Sequence, residues 1–220
     1  MFESVTVIGA GGLAGSAIAA RLRERGLSLR EHYAELVLVC VPDSAIAEVA
    51  AGIPPGPWVA HVSGATRLSA LDPHVRRFSV HPLQTLVKSR GPEQLDGAFA
   101  AVTAETDEAR ECGFWLARTL GLQPFELGDE VRPLYHAGAA FASGYLVTVY
   151  RAAAALFREA GAPPEALLPL MRRTIDNGFE LTGPIARGDW STVEAHLDAL
   201  HERRPDLAPL YRALAAATVP

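Results

Sequence analysis

Cysteine and lysine are scarce in this chain, and each shortage closes off a class of function. Two cysteines, Cys40 and Cys112, cannot build a disulfide framework or a metal cage. Cys40 lies inside an apolar run and reads as a small buried hydrophobe. The seven histidines show no compact spacing with cysteine or carboxylate, so no metal site is expected. Of 20 basic residues only Lys88 is lysine, and the arginines do not cluster. With a net charge of -5, this argues against a nucleic-acid surface. No G-x-S-x-G elbow surrounds Ser63, so a serine hydrolase is not expected either. No apolar stretch reaches the ~18–20 residues that span a bilayer, so no membrane partner is expected. The chain opens with Glu3 and runs straight into an apolar strand pattern, without the look of a signal peptide. A cytoplasmic location is the resulting expectation.

What is present is a chain of 220 residues, 49% of them apolar, enough to bury a real core. The first half alternates short apolar runs with helical patterns, the signature of βαβ units. Strands are expected from Val5 to Ile8, Leu36 to Val41, Trp58 to Val62, Phe78 to Val80, Ala98 to Val102 and Gln123 to Leu127. Leu36 to Val41 is apolar throughout, as in a parallel strand covered on both faces. Helices are expected from Leu13 to Arg25, Ser44 to Ala51 (capped by Asp43) and Glu105 to Leu120. After Gly128 the pattern turns all-helical: Glu130 to Ala160, Pro164 to Leu181, Ser191 to Glu202 and Leu207 to Thr218. The expected organisation is therefore a nucleotide-binding α/β domain over 1–128 and a helical domain over 129–220. The first helix of the second domain is rich in small residues between Ala137 and Gly144. Each glycine there costs about 1 kcal/mol against alanine. Close packing on another helix, or a ligand lying on the backbone, would account for that.

Gly9-Ala10-Gly11-Gly12-Leu13-Ala14 follows a strand and opens a helix. It fits G-x-G-x-x-A, the Rossmann-type arrangement in which a pyrophosphate meets glycine backbone and a helix N-terminus. In open parallel sheets the ligand sits at the carboxyl ends of the strands. Those ends carry small or polar groups here: Gly9, then Pro42-Asp43, then Ser63-Gly64, then His81 through Gln84. Gly9, Gly11, Gly12, Leu13, Ala14, Pro42, Ser63 and Gly64 are the candidate cofactor contacts. Asp43 is read as a helix cap. In the second domain Tyr135 and His136 lie early on the first helix, and Ser143 falls near the face of His136 at i+7. A reaction at this edge that needs a proton donor would be served by histidine. His136 and His81 are the candidate donors, with Tyr135 and Ser143 as polar partners. Gln84, Thr182 and Arg187 are candidate substrate contacts; Arg187 could grip a carboxylate or phosphate. Asp189 is read as the cap of the helix from Trp190.

Four segments occur in order: His-Pro-Leu-Gln-Thr at 81–85, Leu-Tyr-His-Ala at 134–137, Phe-Ala-Ser-Gly-Tyr at 141–145 and Leu-Thr-Gly-Pro-Ile-Ala-Arg-Gly-Asp at 181–189. With them the chain resembles a family of bacterial Rossmann-like proteins with a helical C-terminal domain of unknown function. That family is similar to pyrroline-5-carboxylate reductase and the 6-phosphogluconate dehydrogenase group. The resemblance implies a nicotinamide-dependent reductase-like fold, NAD or NADP as cofactor, and a homodimer formed through the helical domain. Two departures stand out. Relatives place a strand, a helix and a further strand between the first helix and the Leu-Val-Leu-Val strand. Here only Leu27 to Tyr33 fills that gap, too short for a parallel crossover of a dozen or more residues. The second and third strands are thus expected to be missing, and with them the usual holder of the adenosine ribose. Arg30 and Glu31 stand at about the right distance from the glycines but read as a solvated connection. Second, Gly144 stands where relatives carry asparagine. Two readings follow. One is an NAD(P)-dependent oxidoreductase acting on a small acid, ketone or imine. The other is a non-catalytic or cofactor-free binding or regulatory protein on a reduced scaffold.

Overall fold

A computed structural model describes residues 1–218. Seven strands form one sheet in the order β2-β1-β3-β4-β5-β6-β7. These are β1 (Ser4–Ile8), β2 (Ser28–Leu29), β3 (Leu36–Val39), β4 (Trp58–His61), β5 (Arg77–Leu83), β6 (Phe99–Ala104) and β7 (Gln123–Glu126). Helices α1 (Leu13–Glu24), α2 (Ile46–Ala51) and α3 (Asp107–Thr119) connect them. The strands alternate side chains between two apolar clusters. Leu36 and Leu38 of β3 join the larger one with Ile18 and Leu22 of α1 and Leu116 of α3. Val39 joins the smaller one with Ile46 and Ala50 of α2. Both faces of β3 are covered, which is why its sequence shows no polar alternation. Each such leucine contributes about 2 kcal/mol of burial. Thr106 caps α3 by accepting the Ala109 N–H.

Three expectations need correction here. The sheet is not parallel throughout: β6 runs antiparallel to β5, while the other neighbouring pairs are parallel. The segment between β5 and β6 holds one short 3-10 turn, Pro92–Leu95, and no crossover helix, so the chain returns in the opposite sense. The second strand is not lost. It survives as β2, two residues paired with Ser4 and Val5. Asp43 does not cap α2: it begins a 3-10 turn, Asp43–Ala45, ahead of that helix, and no side chain caps either element.

The chain divides into two compact units, Met1–Ala142 and Ser143–Pro220. The division falls inside the helical stretch that follows Gly128, so α4 (Arg132–Ala140) belongs with the sheet. A π-helical turn, Phe141–Tyr145, precedes α5 (Leu146–Glu159), and α6 (Leu167–Asp176), α7 (Trp190–Arg203) and α8 (Ala208–Thr218) complete the second unit. Helix α6 stops short of Leu181 because Gly178 and Phe179 take positive φ. Asp189 caps α7 through the Thr192 N–H, as its sequence position suggests.

The helical run Asp129–Glu159 has an 18-residue window of mean hydropathy 1.3, of which 6% is buried. By length and composition it could cross a membrane, which corrects the count of apolar runs made from the sequence. The second unit buries few large side chains of its own. Leu170, Ile175, Phe179, Leu181 and Trp190 are all exposed.

Candidate active site

Residues at the carboxyl ends of β1, β3, β4 and β5 form one row, linked by contacts within the first unit. At its start Gly9 takes φ +88°, and a Cβ there would collide with the Cys40 carbonyl oxygen. Glycine is therefore required for the chain to turn so close to the end of β3. Gly12 N–H bonds the Gly9 carbonyl at 2.9 Å and closes the turn. Helix α1 then begins with no side-chain cap and no acidic residue in its first turn. Its free N–H groups and the helix dipole face an approach that favours an anion. A Cβ built on Gly11 would meet nothing within 4 Å. Ala10 to Leu13 are exposed, so no side chain fills the space above the loop. A phosphate group fits this backbone.

The next link is Asp43. Its carboxylate accepts the Ser63 hydroxyl at 2.8 Å. The Ser63 oxygen in turn accepts the N–H groups of Ala65 and Thr66 and lies 2.9 Å from the Thr66 hydroxyl. Ser63 is thus a buried brace between the ends of β3 and β4. It shapes the Gly64 turn. Gly64 lies directly against the histidines: a Cβ there would stand 2.7 Å from His136 Cδ2 and 2.8 Å from His81 Nε2. Any side chain at 64 would push these rings apart.

His81 and Tyr135 are held together. The phenol oxygen lies 2.8 Å from His81 Nδ1. The His136 ring stands 6.1 Å from the His81 ring, centre to centre. Burial lowers the His81 pKa to about 4, helped by the nearby His136 and Arg132, so this imidazole is neutral at ordinary pH. Burial raises the Tyr135 pKa, against a smaller lowering by Arg132, so the phenol stays protonated. His136 is exposed and faces solvent.

Beneath this pair lies a group that the sequence analysis missed. Arg132, the first residue of α4, is fully buried. It donates to the Thr103 hydroxyl at 2.7 Å and to the Ser63 carbonyl. Its Nε has no hydrogen-bond partner among the described residues and stands 4.0 Å from the Asp129 carboxylate. A fully buried guanidinium whose nearest carboxylate is this far away is costly. His61, at the end of β4, was also missed. It is fully buried, and its Nδ1 accepts the Ser63 N–H at 3.2 Å, which requires the neutral ring. Burial and then Arg132 hold its pKa at about 3. The signal for His61 was available: a titratable residue closing the apolar strand Trp58–His61. Arg132 gave none, because one arginine at a helix start looks like any solvated residue.

Gln84 is exposed, and its side chain accepts the Thr85 N–H. Pro42 is exposed and precedes the Asp43 turn. Ser143, Thr182 and Arg187 belong to the second unit. Ser143 stands in the π-helical turn. The i+7 spacing assumed a regular α-helix, so it does not assign Ser143 to the face of His136.

Comparison with known proteins now bears on this site. Residues 98–218, more than half of the chain, match the family model described as Domain of unknown function (DUF2520). No curated protein matches. Among solved structures, a Bacteroides fragilis protein named provisionally as an NADP oxidoreductase is 24% identical, with a TM-score of 0.82, covering 98% of this chain and 97% of that one. A Thermotoga maritima protein is 22% identical, with a TM-score of 0.76, over 97% and 96%. A Plasmodium falciparum pyrroline carboxylate reductase, solved with NADP bound, is 11% identical, with a TM-score of 0.62, over 98% and 95%. At these identities the likeness establishes the fold: a Rossmann-type α/β unit with a helical C-terminal region, shared with NAD(P)-dependent oxidoreductases.

Proposed function

The chain belongs to the family defined by that domain of unknown function (DUF2520), and we propose that it is a nicotinamide-dependent oxidoreductase acting on a small acid, ketone or imine by hydride transfer. The observation that carries this reading is the pairing of His81 with Tyr135 over Gly64, with His136 beside them. It shares one sheet edge with the open glycine loop. The loop of Gly9, Gly11, Gly12, Leu13 and Ala14 would hold the phosphates of NAD or NADP. When bound, the nicotinamide supplies the hydride.

The protein's own groups then serve the oxygen or nitrogen of the reduced bond. The Tyr135 hydroxyl donates to His81 Nδ1, which leaves the proton of the neutral ring on Nε2. That N–H points over Gly64 and polarises the C=O or C=N bond, as a neutral imidazole can. His136, open to water, delivers the proton and is reloaded from solvent. Burial, with smaller contributions from His136 and Arg132, keeps His81 from taking up a proton and losing its role as a neutral donor. Asp43 and Ser63 fix the turn that leaves room for substrate.

We infer in addition that two copies pair through the helical unit. Gly138 and Gly144 have open space where a Cβ would stand, room for a second backbone to approach closely. Exposed Leu146, Val147 and Val149 add an apolar surface. Light scattering at micromolar concentration should give a dimer mass; a monomer would refute the pairing.

The test of the main proposal is a thermal-shift titration with NADH and NADPH. A rising melting temperature is expected, by mass action on the folded state. No shift at millimolar cofactor would favour the cofactor-free reading instead.

A further inference from the structure

The sheet edge on the β2 side is short where a dinucleotide site needs it long. Strand β2 pairs only Ser28 with Ser4 and Leu29 with Val5. β1 runs on through Thr6, Val7 and Ile8, which pair with β3 on their other side. At roughly 3.3 Å per residue, β2 stops about 10 Å below the level of Ile8 and the glycine loop.

The chain does not make up this height after β2. The Arg30 N–H bonds the Val5 carbonyl, near the amino end of β1. Five residues later Glu35 is at the same end: its carboxylate accepts the Glu3 N–H at 2.6 Å, and its own N–H reaches the Ser4 hydroxyl. Between them residues 31–33 point into solvent, with Tyr33 96% exposed at φ +56°. In a Rossmann sheet the tip of the second strand carries the acidic or arginine side chain that holds the adenosine ribose. Here that strand ends before it reaches the edge, and Arg30 and Glu31 lie on the low connection. The other half of the site is intact, from Gly9 to His81.

We propose that the glycine loop recognises a nicotinamide ligand by its phosphate and nicotinamide-ribose half alone, with the adenosine half held by no residue of the second strand. The recognised unit is a nicotinamide mononucleotide; the rest of NAD or NADP extends into solvent. This rests on the cofactor role proposed above for the loop.

The experiment compares dissociation constants of the wild-type protein for reduced nicotinamide mononucleotide, NADH and NADPH, read by nicotinamide fluorescence or calorimetry without turnover. All three should fall within tenfold of one another. A dinucleotide bound more than tenfold tighter than the mononucleotide would overturn the inference, and so would more than tenfold discrimination between NADH and NADPH. In either case the loop's cofactor role would stand. Binding of none of them at millimolar concentration would overturn both the inference and the oxidoreductase reading.

Discussion

The two ends of one sheet edge are built to different standards. At the β4–β5 end the chain buries Arg132, His61 and Ser63 completely or nearly so and fixes His81 against Tyr135. At the β2 end it spends two residues on a strand and leaves Tyr33 in solvent. A buried guanidinium whose ion pair with Asp129 is stretched to 4.0 Å is a costlier brace than a well-packed apolar side chain, while a longer β2 would add hydrogen bonds and favour folding. Stability alone would therefore give the reverse arrangement. The difference shows that the fold holds a neutral imidazole and a phenol at a fixed point; on the reading proposed above, it makes little of the far end of a cofactor.

The comparison can be broken most directly at its costly end. Arg132→Ala should lower stability by about 3 kcal/mol in urea unfolding, since it leaves the Ser63 carbonyl and the Thr103 hydroxyl without their donor and opens a cavity. A variant as stable as the parent would mean that the buried charge merely offsets its own desolvation. Gly64→Ala should be milder for the fold and severe for the chemistry. Its Cβ displaces both the His81 and His136 rings. Turnover of the best substrate from a screen of small keto and imino acids should fall about 100-fold, close to 2.7 kcal/mol, with stability changed by about 1 kcal/mol. Unchanged turnover would remove the histidine pair from the reaction.

Acid offers a third test. His61 and His81 have folded pKa values of about 3 and about 4, below the ordinary 6.5. Between those values and pH 6.5 the unfolded chain binds more protons than the folded one, so folding is favoured less as pH falls. Their contribution is complete above pH 6.5 and is lost progressively below it. By pH 4.5 His61 should account for on the order of 2 kcal/mol, and His61→Gln should flatten the stability profile across that window. An unaltered slope would show that the ring is not held neutral. The smallest effect belongs to the opposite end: Arg30→Ala should change dinucleotide affinity less than twofold by calorimetry. A larger loss would mean that the reduced end still holds ligand.

Which of these features can be read from the sequence follows the range of the interactions involved. The strand, glycine loop and helix from Ser4 to Glu24 are local, and their glycines declare the turn. The all-helical second half and the Asp189 cap are equally local. The shortened gap between Leu27 and Tyr33 was visible as a length, but that two residues would still pair with β1 was not. The antiparallel β6 depended on how the chain returns after Leu83, which no periodicity records. Asp43 looked like a helix cap because aspartate before a helix usually is one; its bond to Ser63, 20 residues away, is a tertiary contact. Arg132 is the extreme case. Its burial exists only once Ser63 and Thr103 have been brought to it.

The central claim is that the open backbone over Gly11 receives a phosphate of a nicotinamide cofactor. Gly11→Val fills that space, where a Cβ meets no neighbour, and so should leave the melting temperature of the free protein unchanged within a few degrees. Calorimetry with NADH or NADPH should show binding by the parent and at least a tenfold loss in the variant. Equal affinity in the two proteins, or no binding by either, would contradict the account.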